Sequence, residues 1–255
     1  MRVLALPAAL ALALALYLPF PNAPQKFFSA LHALYVRMLP IFTYKDGRVD
    51  EPLARGALIF LLACIASALG SVHPLLAGLV MAPAFTAAAC LPHAVSEKHT
   101  LDSGILSRDI PAYEARVREA CAALAPAFVE GFCLPLLLAA VGLPVYLGPA
   151  LVWVLLGARA LQPDNRILFM LSRMADVLFS GLLLMCSGMV GRNPARTHGL
   201  NAQTRLLSSL GIGEGGTHAP VAGDIAQGVF LCCFCAVLLT LTASLIVFPL
   251  CQLFV

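Results

Sequence analysis

Charge is what this sequence has least of. Only 11% of its 255 residues are Asp, Glu, Lys or Arg, against about a quarter in an ordinary soluble domain. The formal net charge of +3 is small, and no aromatic residues interleave with basic ones, so no nucleic-acid partner is expected. Familiar catalytic signatures are missing as well: there is no G-x-S-x-G, H-E-x-x-H or phosphate-loop pattern. No internal repeat is evident, and no low-complexity linker beyond the Ala-Leu run at 8–16. What fills the chain instead is apolar sequence, 60% of it hydrophobic. That composition specifies an all-α polytopic membrane protein forming a single membrane domain over residues 1–255.

Nine cysteines could suggest a disulfide framework, but their placement argues otherwise. Cys64, Cys90, Cys121, Cys133, Cys186 and Cys251 lie singly in or near apolar segments, and Cys232, Cys233 and Cys235 sit together in the last one. Buried free cysteine behaves as a small hydrophobe. No His or acid flanks the CCxC cluster, so a metal or redox role is not expected of it. The opening stretch, MRVLALPAALALALALYLPFPNAP, has an apolar run long for a signal peptide and no clear small-x-small cleavage site, and it reads as a retained first helix.

A crossing of the hydrocarbon core takes about 20 helical residues. Candidate spans are 3–20, 55–71, 73–92, 121–142, 144–161 and 224–250, which gives about six; a further helix at 166–190 is apolar but carries Arg173 and Asp176. The turns SVHP and VGLP close hairpins of spans two and three, and of four and five. Pro83, Pro126, Pro135 and Pro149 fall within spans, where neighbouring groups or water must satisfy the freed backbone.

The polar segments 21–54 and 93–119 are basic, whereas the two hairpin turns carry no Lys or Arg. The positive-inside rule places both long segments in the cytoplasm, the turns outside, and the N-terminus outside. Segment 191–223 is also basic, with Arg192, Arg196 and Arg205. A full crossing by helix 166–190 would put it outside; an interfacial or re-entrant helix there is the expected arrangement, and it gathers all three long polar segments on the cytoplasmic face of the cell membrane.

Several polar residues stand out against this background. Glu130, in FVEGFCLPLLLAAVGLP, would cost roughly 2.5–3.5 kcal/mol at bilayer depth by insertion scales; it requires a wet cavity, a partner such as Arg159, or a task. Arg173 and Asp176 are spaced i, i+3, which allows a local ion pair. The loop GIGEGGTHAPVAGD at 211–224 contains His218 and ends on Asp224, a natural N-cap for the apolar helix that follows. A Gly-rich loop before a helix can cradle phosphate, but this one lacks a phosphate-loop lysine and spacing. His93, Glu97 and His99 in LPHAVSEKHTLD read as a solvated amphipathic face, and His32 and His73 as interfacial residues.

The order of these segments resembles the integral-membrane adenosylcobinamide-phosphate synthase family of cobalamin biosynthesis. The resemblance is carried by SGILSRD with Arg108 and Asp109, FVEGFCLPLL with Glu130, VGLPVYLGPALVWVLLGARAL, SRMAD with Arg173 and Asp176, and THAPVAGD with His218. It implies an ATP-dependent ligase that joins the carboxyl group of adenosylcobyric acid to the amine of an aminopropanol phosphate. On that footing Asp109, Glu130 and Asp176 would offer oxygens to Mg²⁺ or act as base. Arg108 and Arg173 would grip phosphate or carboxylate, with His218 also at the substrate. The chain departs from the family pattern at Ala122, Pro126, Ala127 and Ala175, where the family carries polar or acidic residues, and at LLGAR and Val221. The alternative implied by those departures is a non-catalytic membrane relative with a binding or regulatory role. A small transporter is a third class, but the inverted repeats common in transporters are absent.

Overall fold

The computed structural model describes residues 4–43, 49–103, 109–143, 147–162, 165–189, 201–213 and 218–253. Among these residues all regular structure is helical, apart from one isolated bridge between Thr43 and Val49. The helices are α1 (Ala5–Tyr17), α2 (Ala23–Met38), α3 (Glu51–Val72), α4 (Pro74–Met81) and α5 (Cys90–Asp102). They continue with α6 (Ile110–Phe128), α7 (Leu134–Gly142), α8 (Gly148–Leu161), α9 (Arg166–Met189), α10 (Ala202–Leu210) and α11 (Ala222–Leu253).

Four helical stretches are long and apolar enough to cross a membrane: Glu51–Val72, Ile110–Gly142, Arg166–Gly188 and Ala222–Leu250. A fifth is added if the bent pair Pro74–Ala84 and Thr86–Asp102 counts as one crossing. This differs from the reading of six spans in three places. Segments 3–20 and 144–161 form helices of only 13 and 14 residues, short of the 20 or so that a perpendicular crossing takes. Segment 166–190, expected to be an interfacial or re-entrant helix, is one unbroken helix over Arg166–Met189 that is long and apolar enough to cross, which argues against a re-entrant loop there. Segment 73–92, read as one straight span, instead falls on a helix pair whose axis bends by 56° between α4 and α5.

That bend follows from Pro83, which lacks an N–H and cannot continue the helix ladder. Two carbonyls freed near it are satisfied from other helices. The Tyr17 hydroxyl donates to the Pro83 carbonyl at 2.8 Å, and the Trp153 indole N–H donates to the Val80 carbonyl at 2.9 Å. Irregular backbone at membrane depth survives only with such partners.

Ile110–Gly142 is the central rod of the bundle: 61% of its apolar window is buried, against 22–28% for the other three single-helix candidates. Small residues bring the outer helices close to one another, as membrane packing favours. A Cβ on Gly78 of α4 would lie 2.9 Å from the Ala8 side chain, and one on Gly157 of α8 would lie 2.7 Å from Ile59 of α3. The main core draws on α1 and on α4 through α11, while a smaller one gathers Tyr35, Ala54, Leu58 and Leu161.

Candidate functional site

The central rod is not α-helical throughout. Val129–Cys133 is a π-turn, in which the Leu134 N–H reaches the Val129 carbonyl five residues back. The sequence explains why. Pro135 has no N–H to offer and its ring would strike the carbonyl four residues earlier; widening the preceding turn by one residue relieves both problems. Pro126 lies one turn before the π-turn, and the Val129 N–H is shared between the Ala125 and Pro126 carbonyls. Gly131 inside the π-turn lets the link between α4 and α5 approach. A Cβ there would lie 2.6 Å from both the Ala87 nitrogen and the Thr86 hydroxyl.

Glu130 is presented by this turn to two adjoining cavities. The larger, about 540 Å³, is lined by Thr86, Cys90, Arg159 and Ser172 among others; the smaller, about 220 Å³, by Arg173, Asp176, Asn201 and Gln203 among others. Both include Glu130, Phe169 and Ser172, so they form one bipartite space with two carboxylates and two guanidiniums on its walls. Glu130 is solvent-accessible within it and, among the described residues, accepts no hydrogen bond. Its charge acts on the half-buried Arg159 in the last turn of α8.

Arg173 and Asp176 come into the same space from α9, but not as the local ion pair that their spacing allows. The Arg173 guanidinium lies over the Phe169 ring, 5.3 Å from its centroid, a cation–π arrangement. Asp176 turns the other way: its Oδ1 accepts the Ala202 N–H at 3.1 Å. The side chain of Asn201 accepts the Gln203 N–H at 2.9 Å, so two residues satisfy the orphan donors at the start of α10.

Of the six residues singled out from the sequence, Glu130, Arg173 and Asp176 share a cavity. Asp109 does not join them; it is the N-cap of α6, its Oδ1 accepting the Ala112 N–H at 3.2 Å. His218 is also elsewhere. Its Nε2 lies 3.1 Å from Oδ2 of Asp224, which is buried at the base of α11. Arg108 falls outside the described residues. Asp224 itself is one helical turn later than an N-cap: α11 begins at Ala222, and the Asp224 carboxylate reaches back to the Val221 N–H at 2.9 Å. This is the returning half of a capping box. The Tyr113 hydroxyl accepts the Ala222 N–H at 2.9 Å, fastening the start of α11 to α6.

Sequence reasoning missed Thr86, Ser172, Asn201 and Gln203 as wall residues. Asn201 alone carried a signal, as a capping type followed by a short amphipathic run. The eight cysteines with described side chains are free thiols. His93 and Glu97, read as a solvated face, line a separate groove of about 440 Å³ with Arg116 and Glu119. No family model, no curated protein and no solved structure matches the chain.

Proposed function

We propose that this chain is a membrane-embedded amide-forming synthase of the adenosylcobinamide-phosphate synthase kind, working in the bipartite space around Glu130. The observation that carries the reading is the meeting of Glu130 with Arg173 and Asp176, residues from two separate motifs, on one cavity. Two positive and two negative groups face each other there, as joining an anionic carboxyl or phosphate compound to an amine requires.

Glu130, which accepts no hydrogen bond among the described residues, is the group best placed to take a proton from the attacking amine. Arg173, steadied by Phe169, and Arg159 hold anionic oxygens; a guanidinium fork grips carboxylate or phosphate in two places. The donor set suits Mg²⁺, which takes one or two carboxylates from protein and the rest from phosphate and water. Asp176, through the oxygen that does not accept from Ala202, would hold it, which leaves Glu130 free as the base. Magnesium-bound ATP would supply the activation of the carboxyl group. A corrin macrocycle exceeds what cavities of about 540 and 220 Å³ enclose, so only its reacting side chain would enter, the ring remaining at the mouth.

In this reading α1, α3, the bent α4–α5 pair, the α6–α7 rod, α8 and α11 are the six spans, α1 and α8 being completed by their flanking residues; α9 lies at the membrane interface, and the long polar segments face the cytoplasm. The test is complementation of a strain lacking the synthase, fed cobyric acid and scored for cobalamin-dependent growth. Growth that disappears with Glu130→Gln supports the reading; no growth from the expressed wild type overturns it.

One observation favours a second reading, a non-catalytic relative that binds the same ligands. Pro126 and Ala127 present apolar surface to the two cavities where the family carries polar groups, and Asp109 and His218 are committed to helix termini. Corrinoid binding without growth would select it.

A further inference from the structure

The larger compartment beside Glu130 has walls of two kinds. α8 and the π-turn supply Arg159 and Glu130, whereas α2 and the start of α9 supply Phe28, Leu168 and Phe169. The Arg159 guanidinium is half-buried and, among the described residues, donates no hydrogen bond; the charge acting on it is that of Glu130. Burying a guanidinium without an acceptor is costly. Water alone would solvate it but would also wet the apolar walls. The space suits a molecule that is anionic at one end and apolar along the rest.

Its opening is lateral. α8 packs against α3 and α7, while α9 packs against α10, α11 and the π-turn, so these consecutive helices diverge along the cavity. Phe169, which lines it, is 62% exposed, and the neighbouring Ile167 and Met170 are also turned outward. Such an apolar rim on a membrane helix faces hydrocarbon. Arg159 lies in the last turn of α8, the end of an apolar segment, where long cationic side chains reach headgroup level. Arg166, one turn before Phe169 on the same face of α9, is exposed and has no ion pair among the described residues. The Arg173 guanidinium lies over the Phe169 ring itself. Three guanidiniums therefore flank the opening, opposed by Glu130 and by an Asp176 already engaged with α10.

We propose that an anionic phospholipid of the surrounding leaflet occupies this opening, its phosphodiester at Arg159 and Arg166 and an acyl chain along Phe28, Leu168 and Phe169. The assignment goes beyond the synthase reading and does not rest on it. It holds whether α9 crosses the membrane or lies along it, because the start of the helix is at the surface in both cases. In a catalytic space the lipid would compete with the anionic oxygens of a soluble substrate for Arg159, so bilayer composition would regulate the site.

The test is native mass spectrometry of the delipidated full chain in neutral detergent. The probes are dioleoylphosphatidylglycerol, the zwitterionic dioleoylphosphatidylcholine, the phosphate-free dioleoylglycerol and the chain-free headgroup glycerophosphoglycerol. One phosphatidylglycerol binds about tenfold or more tightly than either other lipid, and glycerophosphoglycerol does not displace it. Arg159→Gln weakens that binding by about tenfold or more, and Arg159→Lys by less, since the charge stays and only the fork is lost. Arg166→Gln alters an exposed side chain and weakens binding by about fivefold; it keeps the test decisive should a thermal melt show that Arg159→Gln does not fold. Arg118→Gln removes the same charge from α6 and changes nothing. Equal binding of phosphatidylcholine or dioleoylglycerol, displacement by the free headgroup, or indifference to both Arg159→Gln and Arg166→Gln overturns the assignment. An equal loss with Arg118→Gln also overturns it, leaving only general attraction to a basic surface. Since neither corrinoid nor nucleotide is added, failure here is distinguishable from failure of complementation.

Discussion

Asp176 and Ala202 are joined across 26 residues of sequence by a 3.1 Å hydrogen bond from the Ala202 backbone N–H to the Asp176 carboxylate. One acid thus both lines the cavity and holds the first turn of α10 in place. Asp176→Ala is expected to destabilise the chain by about 1–3 kcal/mol, the cost of leaving a partly buried donor unmet. Asp176→Asn keeps an acceptor and costs less than about 1 kcal/mol, yet still removes the charge. Thermal melts in detergent, read beside complementation, check both: the alanine variant loses stability and growth, the asparagine variant growth alone.

Among the described residues Glu130 accepts no hydrogen bond, and it acts on the fold only through its charge beside the half-buried Arg159. Glu130→Gln is therefore expected to leave the melt within about 0.5 kcal/mol of wild type while abolishing complementation. A large loss of stability would show that the carboxylate is structural.

Gly131 and Gly181 make a matched pair of substitutions. Alanine at Gly131 would place a methyl 2.6 Å from the Ala87 nitrogen, an overpacking expected to cost about 1–3 kcal/mol. At Gly181 nothing lies within 4 Å of the added carbon, and the gain in helix propensity, about 0.5–1 kcal/mol, makes that variant neutral or slightly more stable. Melts of the two variants should move in opposite directions or differ by several degrees.

Tyr17→Phe removes the donor that satisfies the Pro83 carbonyl. A loss of about 1–3 kcal/mol is expected, with faster proteolysis or exchange around residues 82–89. An unchanged melt would mean that water reaches the bend.

The one-face topology is checked by labelling. In a chain whose native cysteines are replaced, thiols introduced by Arg196→Cys and Glu214→Cys are expected to react only after the membrane is permeabilised. Reaction from outside intact cells would place segment 191–223 on the opposite face.

The helical class and the positions of the apolar segments could be read from the sequence because membrane-depth helices must be long, apolar runs. Their lengths could not: α8 starts at Gly148 with Pro149 in its first turn, and α1 stops at Tyr17, just before Pro19, although apolar residues continue at Leu18 and Phe20. Helix α10 was read as part of a polar loop. It is nine residues long, with Ala202, Leu206 and Leu210 buried at four-residue spacing, and it is held by docking against α6 and α9 and by capping from Asn201 and Asp176. The trio of Glu130, Arg173 and Asp176 could be singled out as motif residues, but their common cavity required the tertiary structure. Asp109 illustrates the converse: an acid before a helix start satisfies a capping rule equally well, and here that is its position.

The π-turn at Val129–Cys133 sets the phase between the two halves of the central rod. Each residue of an α-helix advances the side chains by about 100°, so one inserted residue re-aims everything on one side of it relative to the other. α6 meets α10 and α11 with one set of faces, and α7 meets α8 with a set indexed one step later. Deleting a single residue between Phe128 and Leu134 would leave the composition nearly intact, yet it would swing Glu130 and the helix before it out of register with α7. The spacing of this stretch is therefore as much a determinant of the site as the identity of its acid.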